Sequence, residues 1–216
     1  MRRLLLPLTL LPALTASIAC GATEDQVREA PAAAAPTASE APAVEALSAE
    51  AMAKMMMLAQ PGPEHEELMR YAGDWVGEVS IGSSPGGPTL TQTSDSTCRA
   101  ILGGRFLELR SAGEFMGQPF EALSYIGYDR RNEVWNLIGL DTLGTYWVTG
   151  SGKREDDGVV RMHGRDKEPM GEQGYWFEID FVDADTMVSS VWFSQQGPVT
   201  YDPPFKMVET TYRRKR

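Results

Sequence analysis

The stretch YAGDWVGEV, Tyr71 to Val79, contains a Gly-x-Trp triplet at the point where a helical pattern of apolar residues gives way to an alternating one. From Gly73 to the C-terminus the period is two, and turn-forming residues recur every ten to thirteen residues. Alternation indicates half-buried strands, and separators rich in Gly, Asp and Asn indicate short links between them. Residues 73–216 are therefore predicted to be all-β, an antiparallel meander that either closes as a barrel or packs as a sandwich.

The predicted strands are short and no helical pattern interrupts them. They cover residues 74–82, 89–101, 104–115, 119–128, 133–141, 145–154, 158–164, 174–182, 186–195 and 206–213. Upstream, residues 48–72 are predicted to form two short helices separated by Pro61, Gly62 and Pro63. The first helix places Met52, Met55 and Met56 on one face, which we expect to pack on the domain surface.

The N-terminal segment MRRLLLPLTLLPALTASIAC has two arginines ahead of an apolar run of sixteen residues, Leu4 to Ala19. A membrane-spanning helix needs about 20 apolar residues. A charged start, a short apolar run and a small-residue site instead predict a secretory signal peptide over residues 1–19. Residues 20–47 are rich in Ala, Pro and Glu and have no aromatic side chains, so we expect a disordered tether.

The end of the signal, SIAC, resembles the bacterial lipobox, in which the cysteine is lipidated and becomes the mature N-terminus. The resemblance implies that Cys20 anchors the chain to a membrane, and the lack of an aspartate at Gly21 favours the outer membrane of the cell envelope. Cleavage near Cys20 without lipid is the alternative. The remaining cysteine, Cys98, is expected to be a small buried hydrophobe, since no second cysteine would be left to pair with it.

Gly73-Asp74-Trp75 resembles the Gly-x-Trp signature of lipocalins and related calycin barrels. Further segments resemble, in the same order, the pattern of the uncharacterised bacterial family known as domain of unknown function 1579. These segments are PGPEHEELMRYAGDW (Pro61 to Trp75), LGGRFL (Leu102 to Leu107), GYD (Gly127 to Asp129) and DTLGT (Asp141 to Thr145). The resemblance covers about residues 50 to 216.

This resemblance implies a lipocalin-like, up-and-down β-barrel of about ten strands, preceded by one or two short helices. In such barrels the tryptophan plugs one end and a late-strand arginine packs over it. Here Trp75 and Arg213 would close the barrel, or Trp75 and Arg214 if the register is shifted by one residue. The family has no established activity, so the resemblance implies no reaction.

Charge and motif content narrow the function classes. Removing the signal takes away Arg2 and Arg3, which leaves 18 basic against 30 acidic residues and lowers the net charge from −10 to −12. Nucleic acid is a poor candidate partner, because binding to phosphate backbones relies on clustered Lys and Arg. The sequence contains no metal-ligand spacing, nucleophile elbow, phosphate loop or dinucleotide fingerprint. We therefore expect no bound metal and no catalytic residues, and the sequence leaves enzymatic activity undecided.

Aromatic side chains are the predicted source of function, and the ligand-binding candidates are Trp147, His163, Trp176 and Trp192. A barrel can hold haem through one axial histidine, so His163 would be the ligand if a cofactor binds. Glu178 and Asp180 share one strand face, and we expect it to point outward because Phe177 and Ile179 supply an apolar opposite face. Glu64, His65 and Glu67 are expected to be solvated.

Three hypotheses follow. The first is a membrane-tethered module that binds an apolar or amphipathic small molecule in the periplasm or at the cell surface. The second is an enzyme of the same fold that acts on a lipid-like or ester substrate. The third is a structural or interaction lipoprotein whose barrel is filled by its own side chains.

We expect Cys20 to carry lipid. Metabolic labelling with a fatty-acid analogue should mark the wild-type protein, whereas Cys20→Ser should abolish the mark because it removes the thiol that accepts the acyl group. Equal labelling of both proteins would contradict this prediction.

Overall fold

The computed structural model describes residues 48–168, 171–193 and 204–216. The predicted signal, Cys20 and the tether lie outside these residues. Two helices, α1 (Ala49–Leu58) and α2 (Pro63–Met69), precede ten strands. The strands are β1 (Gly73–Gly82), β2 (Thr89–Ile101), β3 (Phe106–Phe115), β4 (Gln118–Asp129), β5 (Val134–Asp141), β6 (Val148–Arg154), β7 (Val160–Glu168), β8 (Gly171–Asp183), β9 (Thr186–Phe193) and β10 (Phe205–Arg214).

The strands form a closed barrel in chain order, in which β1 pairs with both β2 and β10. All neighbouring pairs are antiparallel. This confirms the up-and-down barrel, preceded by two short helices, and rules out the sandwich. Closure pairs the first strand with the last, so no described strand is left as an open edge.

Trp75, near the start of β1, closes one end of the barrel. Its side chain is fully buried, and its indole Nε1 donates a hydrogen bond to the carbonyl oxygen of Tyr71 at 3.0 Å. The Tyr71 ring stacks on the indole with centroids 6.1 Å apart. A large apolar ring thus seals the end, and its one polar atom has a partner.

Arg214 on β10 lies over Trp75, with the guanidinium carbon 4.3 Å from the ring centroid. The same guanidinium donates to the carbonyl oxygens of Ala72 at 2.9 Å and Arg70 at 2.8 Å, at the end of α2. It also donates to Ala184 O, in the β8–β9 turn, at 3.0 Å. The Arg214 side chain therefore contacts the C-terminal end of α2, β1 and the β8–β9 turn.

The prediction that Arg213 covers the tryptophan is wrong. In the antiparallel register Trp75 pairs with Arg214, whereas Arg213 pairs with Val76. Paired residues share a face of the sheet, so Arg214 points towards the barrel end and the exposed Arg213 points outward. The actual register is the alternative that is shifted by one residue.

A chain of aromatic rings, which we call the aromatic floor, extends from Trp75 across this end of the barrel to α2. It is defined by Trp75, Tyr71, Phe181, Trp135, Tyr128 and His65, whose successive centroids are 4.6–6.2 Å apart. Arg154 lies over Trp135 and Phe181 at 5.7 and 5.6 Å, and its Nη2 bonds Glu67 of α2 at 2.9 Å. The floor thus holds a second guanidinium that joins the barrel to α2.

His65 is buried, which contradicts the expectation that it is solvated. Its Nδ1 accepts a hydrogen bond from the backbone N–H of Gly62 at 3.1 Å, at the start of α2, and its ring meets the edge of Tyr128. Burial lowers the pKa of His65 from its ordinary value of 6.5. The imidazole therefore serves as a neutral cap for the helix.

Helix α1 is attached by its end rather than by its face. Ser48 Oγ accepts from Ala51 N at its start, as the sequence suggested, but Met52, Met55 and Met56 are exposed, contrary to expectation. At the other end, Arg130 donates to Met57 O and Gln60 O, and Arg105 donates to Ala59 O. The last carbonyls of a helix need donors from outside it, and these guanidinium groups supply them.

The two neighbouring arginines provide a matched test of the closure. We expect Arg214→Ala to lower the free energy of unfolding by about 2 to 3 kcal/mol, because it removes charged hydrogen bonds and the contact with Trp75. Arg213→Ala should change it by less than about 0.5 kcal/mol, and Trp75→Ala should cost about 3 to 5 kcal/mol. Urea titration measures all three; equal effects of the two arginine variants would refute this account.

The buried histidine predicts a pH dependence. Above pH 6.5 His65 is neutral in both states; below it the unfolded chain takes up a proton that the folded chain accepts only at a lower pH. The free energy of unfolding should therefore decrease as the pH falls below 6.5. Urea unfolding at pH 7.5 and 5.5 should show a smaller decrease in His65→Asn than in the wild type. The control is His163→Asn, which alters an exposed histidine and should behave as the wild type does.

Candidate functional site

The barrel contains a partly open cavity of about 160 Å³. It lies between β3, β4 and β5 on one side and β8, β9 and β10 on the other. Its apolar walls are Leu109, Ile126, Leu137, Phe177, Ile179, Met187 and Val191. Ala122 on β4, Leu140 on β5 and Val148 on β6 also line the cavity, and each lies at the end of its strand that is farther from the aromatic floor.

Glycine on β6 positions one wall of this cavity. A Cβ atom at Gly150 would lie 2.9 Å from a ring carbon of Phe177 and 3.1 Å from the Met162 backbone. The Phe177 ring can therefore press against β6 only because that strand has no side chain there. This packing fills one flank of the barrel and leaves the cavity beside the ring.

Hydroxyl groups collect on the opposite flank, where β9, β10, β1, β2 and β3 meet. We call Ser94, Ser96, Ser111, Ser189, Thr210 and Tyr212 the hydroxyl cluster. Ser96 Oγ lies 2.8 Å from Ser111 Oγ. A Cβ at Gly77 would lie 2.5 Å from Ser94 Oγ, so this glycine makes room for the cluster.

Tyr212 is the central member of the hydroxyl cluster. Burial raises the pKa of its phenol, while hydrogen bonds with Ser189, Ser111 and Thr210 act in the opposite direction. A phenol with a raised pKa is neutral at physiological pH and keeps its O–H donor. Both Tyr212 and Ser189 border the cavity, as does Ser124 on β4.

Three of the four predicted ligand-binding residues lie on the outer face of the barrel. Trp176 and Trp192 stack with centroids 5.6 Å apart and an angle of 8° between the rings, and His163 lies beside Trp176 at 6.1 Å. Lys206 Nζ lies over the Trp192 ring, 4.9 Å from its centroid. The strands place them there because Tyr175, Phe177 and Ile179, at the alternate positions of β8, occupy the interior.

Glu178 holds this outer stack together. Its carboxylate accepts from Trp192 Nε1 at 2.7 Å and from Arg161 Nε at 2.8 Å. The expectation that Glu178 points outward is confirmed. The His163 side chain lies on the same outer face, so the hypothesis that it ligates haem inside the barrel is wrong.

Trp147, the fourth candidate, precedes β6 and is 66% exposed. It lies in the β5–β6 loop, at the end of the barrel away from the aromatic floor. None of the four candidates therefore lines the cavity. The alternation within the strands could have identified the residues that do line the cavity. On β8 it places Phe177 on the same face as the buried Ile179, and on β10 it places Tyr212 on the same face as the buried Thr210.

Cys98 is buried below the hydroxyl cluster, towards the floor, and burial raises the pKa of its thiol to about 12. A thiol that stays protonated is a poor nucleophile. This confirms the interpretation of Cys98 as a small buried hydrophobe.

A second hollow, of about 300 Å³, lies outside the barrel between the α1–α2 link and the floor ends of β3, β4 and β5. Three arginines border it. Arg105 and Arg130 bind the α1 carbonyls described above, and Arg131 pairs with Asp129 at 2.9 Å. That pairing lowers the pKa of Asp129. These groups hold α1 and a turn in place and do not converge on a common point.

Two searches of the described ranges gave negative results. No group of three His, Cys, Asp or Glu side chains between residues 48 and 216, outside the two gaps, is placed to hold a metal ion. No helix in this part of the chain is long and apolar enough to cross a membrane.

Comparison with known proteins identifies a family but no activity. The sequence model of a family described as "Protein of unknown function (DUF1579)" matches residues 60–214. No curated protein matches the chain. Among solved structures, the crystal structure of Rv2717c from M. tuberculosis is similar over 73% of this chain and 100% of that chain, with 16% sequence identity and a TM-score of 0.48.

Proposed function

The chain belongs to the DUF1579 family of proteins of unknown function, and we propose that its barrel binds a small, mainly apolar molecule. The proposal includes export and attachment to the cell envelope through lipid on Cys20. The signal-like segment and the SIAC sequence support export and attachment. The interior cavity supports binding.

The cavity is the observation that carries the proposal. Protein interiors are usually packed to crystal-like density, and voids larger than a water molecule are few. An apolar cavity of about 150 Å³ is enough to admit benzene in a well-studied case. A cavity of about 160 Å³ therefore suits a single-ring or similarly small molecule rather than a long acyl chain.

Binding is better supported than the two alternatives. A filled structural barrel would leave no such space. For an enzyme, the described interior would need an acid–base pair or an activated nucleophile beside the cavity. Two carboxylates border it, but Glu178 is directed outward to Arg161, and Asp141 lies at the rim and accepts from Leu143 N at 2.8 Å.

A pair of alanine substitutions tests the proposal. Ala122 lines the cavity, whereas Ala112 on β3 is exposed on the outer face. We expect toluene to bind the wild type saturably and to raise its melting temperature. At a toluene concentration a hundredfold above the dissociation constant, the free energy of unfolding should increase by about 2.7 kcal/mol. Ala122→Leu should abolish both effects because three added carbon atoms occupy the space.

The control variant, Ala112→Leu, adds the same atoms outside the barrel and should retain binding. Binding can be followed by tryptophan fluorescence or by NMR shifts of methyl groups in the cavity wall. Binding of toluene that is equal in both variants would place it elsewhere on the protein. If a broad panel of small apolar compounds leaves the wild-type melting temperature unchanged, the carrier proposal fails.

A further inference from the structure

We infer that the cavity selects uncharged molecules that carry one hydrogen-bonding group, such as an aromatic alcohol or phenol, and discriminates against carboxylates. This inference rests on the proposed function and adds the chemical class of the ligand. It follows from the hydroxyl cluster at one side of the cavity and from the positions of the nearest cations.

The hydroxyl cluster presents polar atoms to an otherwise apolar space. Tyr212 and Ser189 of the cluster border the cavity on its β8–β10 side, and Ser124 adds a third hydroxyl on its β3–β5 side, among apolar residues such as Leu137 and Phe177. Each hydroxyl has one donor and two acceptor sites, so hydrogen bonds among neighbours leave acceptor capacity on the cluster. A ligand O–H group can use that capacity while its apolar body fills the rest of the volume.

Hydroxyl groups also distinguish this site from one built for anions. A carboxylate that is moved into an apolar interior needs a cation or several strong donors to offset the loss of its hydration. The described inward-facing side chains include two guanidinium groups, those of Arg154 and Arg214, and neither borders the cavity. Arg154 is paired with Glu67, and Arg214 is bonded to three carbonyl oxygens at the floor.

The neutral state of Tyr212 supports the same selection. Because burial raises the pKa of its phenol, Tyr212 stays an O–H donor throughout the physiological range and brings no charge of its own. A neutral hydroxyl, which can both donate and accept a hydrogen bond, stabilises a bound alcohol or carbonyl group. Tyr212 has a single O–H donor and can therefore give an anion only one hydrogen bond, and neutral serine hydroxyls bring no positive charge to offset the desolvation of a carboxylate.

Three probes of similar size test this inference: toluene, benzyl alcohol and benzoate. The wild type should bind toluene and benzyl alcohol, and benzoate should bind at least about a hundredfold more weakly than benzyl alcohol. Tyr212→Phe removes one hydroxyl and keeps the ring. It should weaken benzyl alcohol about three- to tenfold and leave toluene within about twofold.

Two further variants make the result interpretable. Tyr125→Phe on β4 removes a hydroxyl from the outer face and should leave the affinities for all three probes unchanged. Ser189→Ala removes a second hydroxyl that borders the cavity and should reproduce the selective loss of benzyl alcohol. It keeps the test valid if Tyr212→Phe does not fold.

The outcomes separate this inference from the proposed function. In one outcome the wild type binds toluene, Ala122→Leu abolishes that binding, and neither Tyr212→Phe nor Ser189→Ala changes the affinity for benzyl alcohol. The cavity then binds ligands, but the polar selection is refuted. Benzoate that binds as tightly as benzyl alcohol within the cavity also refutes it. If none of the probes binds within the barrel, both the inference and the proposed function fail.

Discussion

The contact between Trp75 and Arg214 is the constraint on which the rest of the barrel depends. Closure requires the first and last strands to meet in one register, and Trp75 and Arg214 are a directly paired couple at the end of that β1–β10 ladder. The guanidinium also donates hydrogen bonds to three backbone carbonyl oxygens, at the end of α2 and in the β8–β9 turn. Loss of the Arg214 side chain would therefore disturb the end of α2, the pairing of β1 with β10 and the β8–β9 turn at the same time.

The barrel interior has three regions that are packed in different ways. The aromatic floor packs stacked, tilted and edge-to-face rings under two guanidinium groups, so large rings occupy this end of the barrel. The β6 flank uses Gly150 to accept the Phe177 ring. The third region combines apolar walls with the hydroxyl cluster and leaves a cavity.

The outer aromatic stack shows why large aromatic residues are an unreliable guide to a binding site. Trp176 on β8 and Trp192 on β9 are directly paired across the two strands, and their rings stack. The Glu178 carboxylate accepts a hydrogen bond from the Trp192 indole N–H. Lys206 also lies over the Trp192 ring. Each ring thus has a partner across the strands, and cross-strand pairs of this kind stabilise a sheet.

The sequence by itself predicted the two helices and ten consecutive strands, because periodicity and turn residues are local signals, and its resemblance to Gly-x-Trp barrels pointed to Trp75 as the plug. Most strand limits agree to within two residues, but the start of β6, the end of β7 and the start of β8 differ by three or four. Only the tertiary structure decided that Arg214 rather than Arg213 covers the plug, since a shift of one residue reverses which face a side chain occupies. It also decided that His163 lies outside and that a cavity remains inside. Both faces of β8 carry aromatic residues, and a void is the volume left after side chains from many strands have packed, which no single segment encodes.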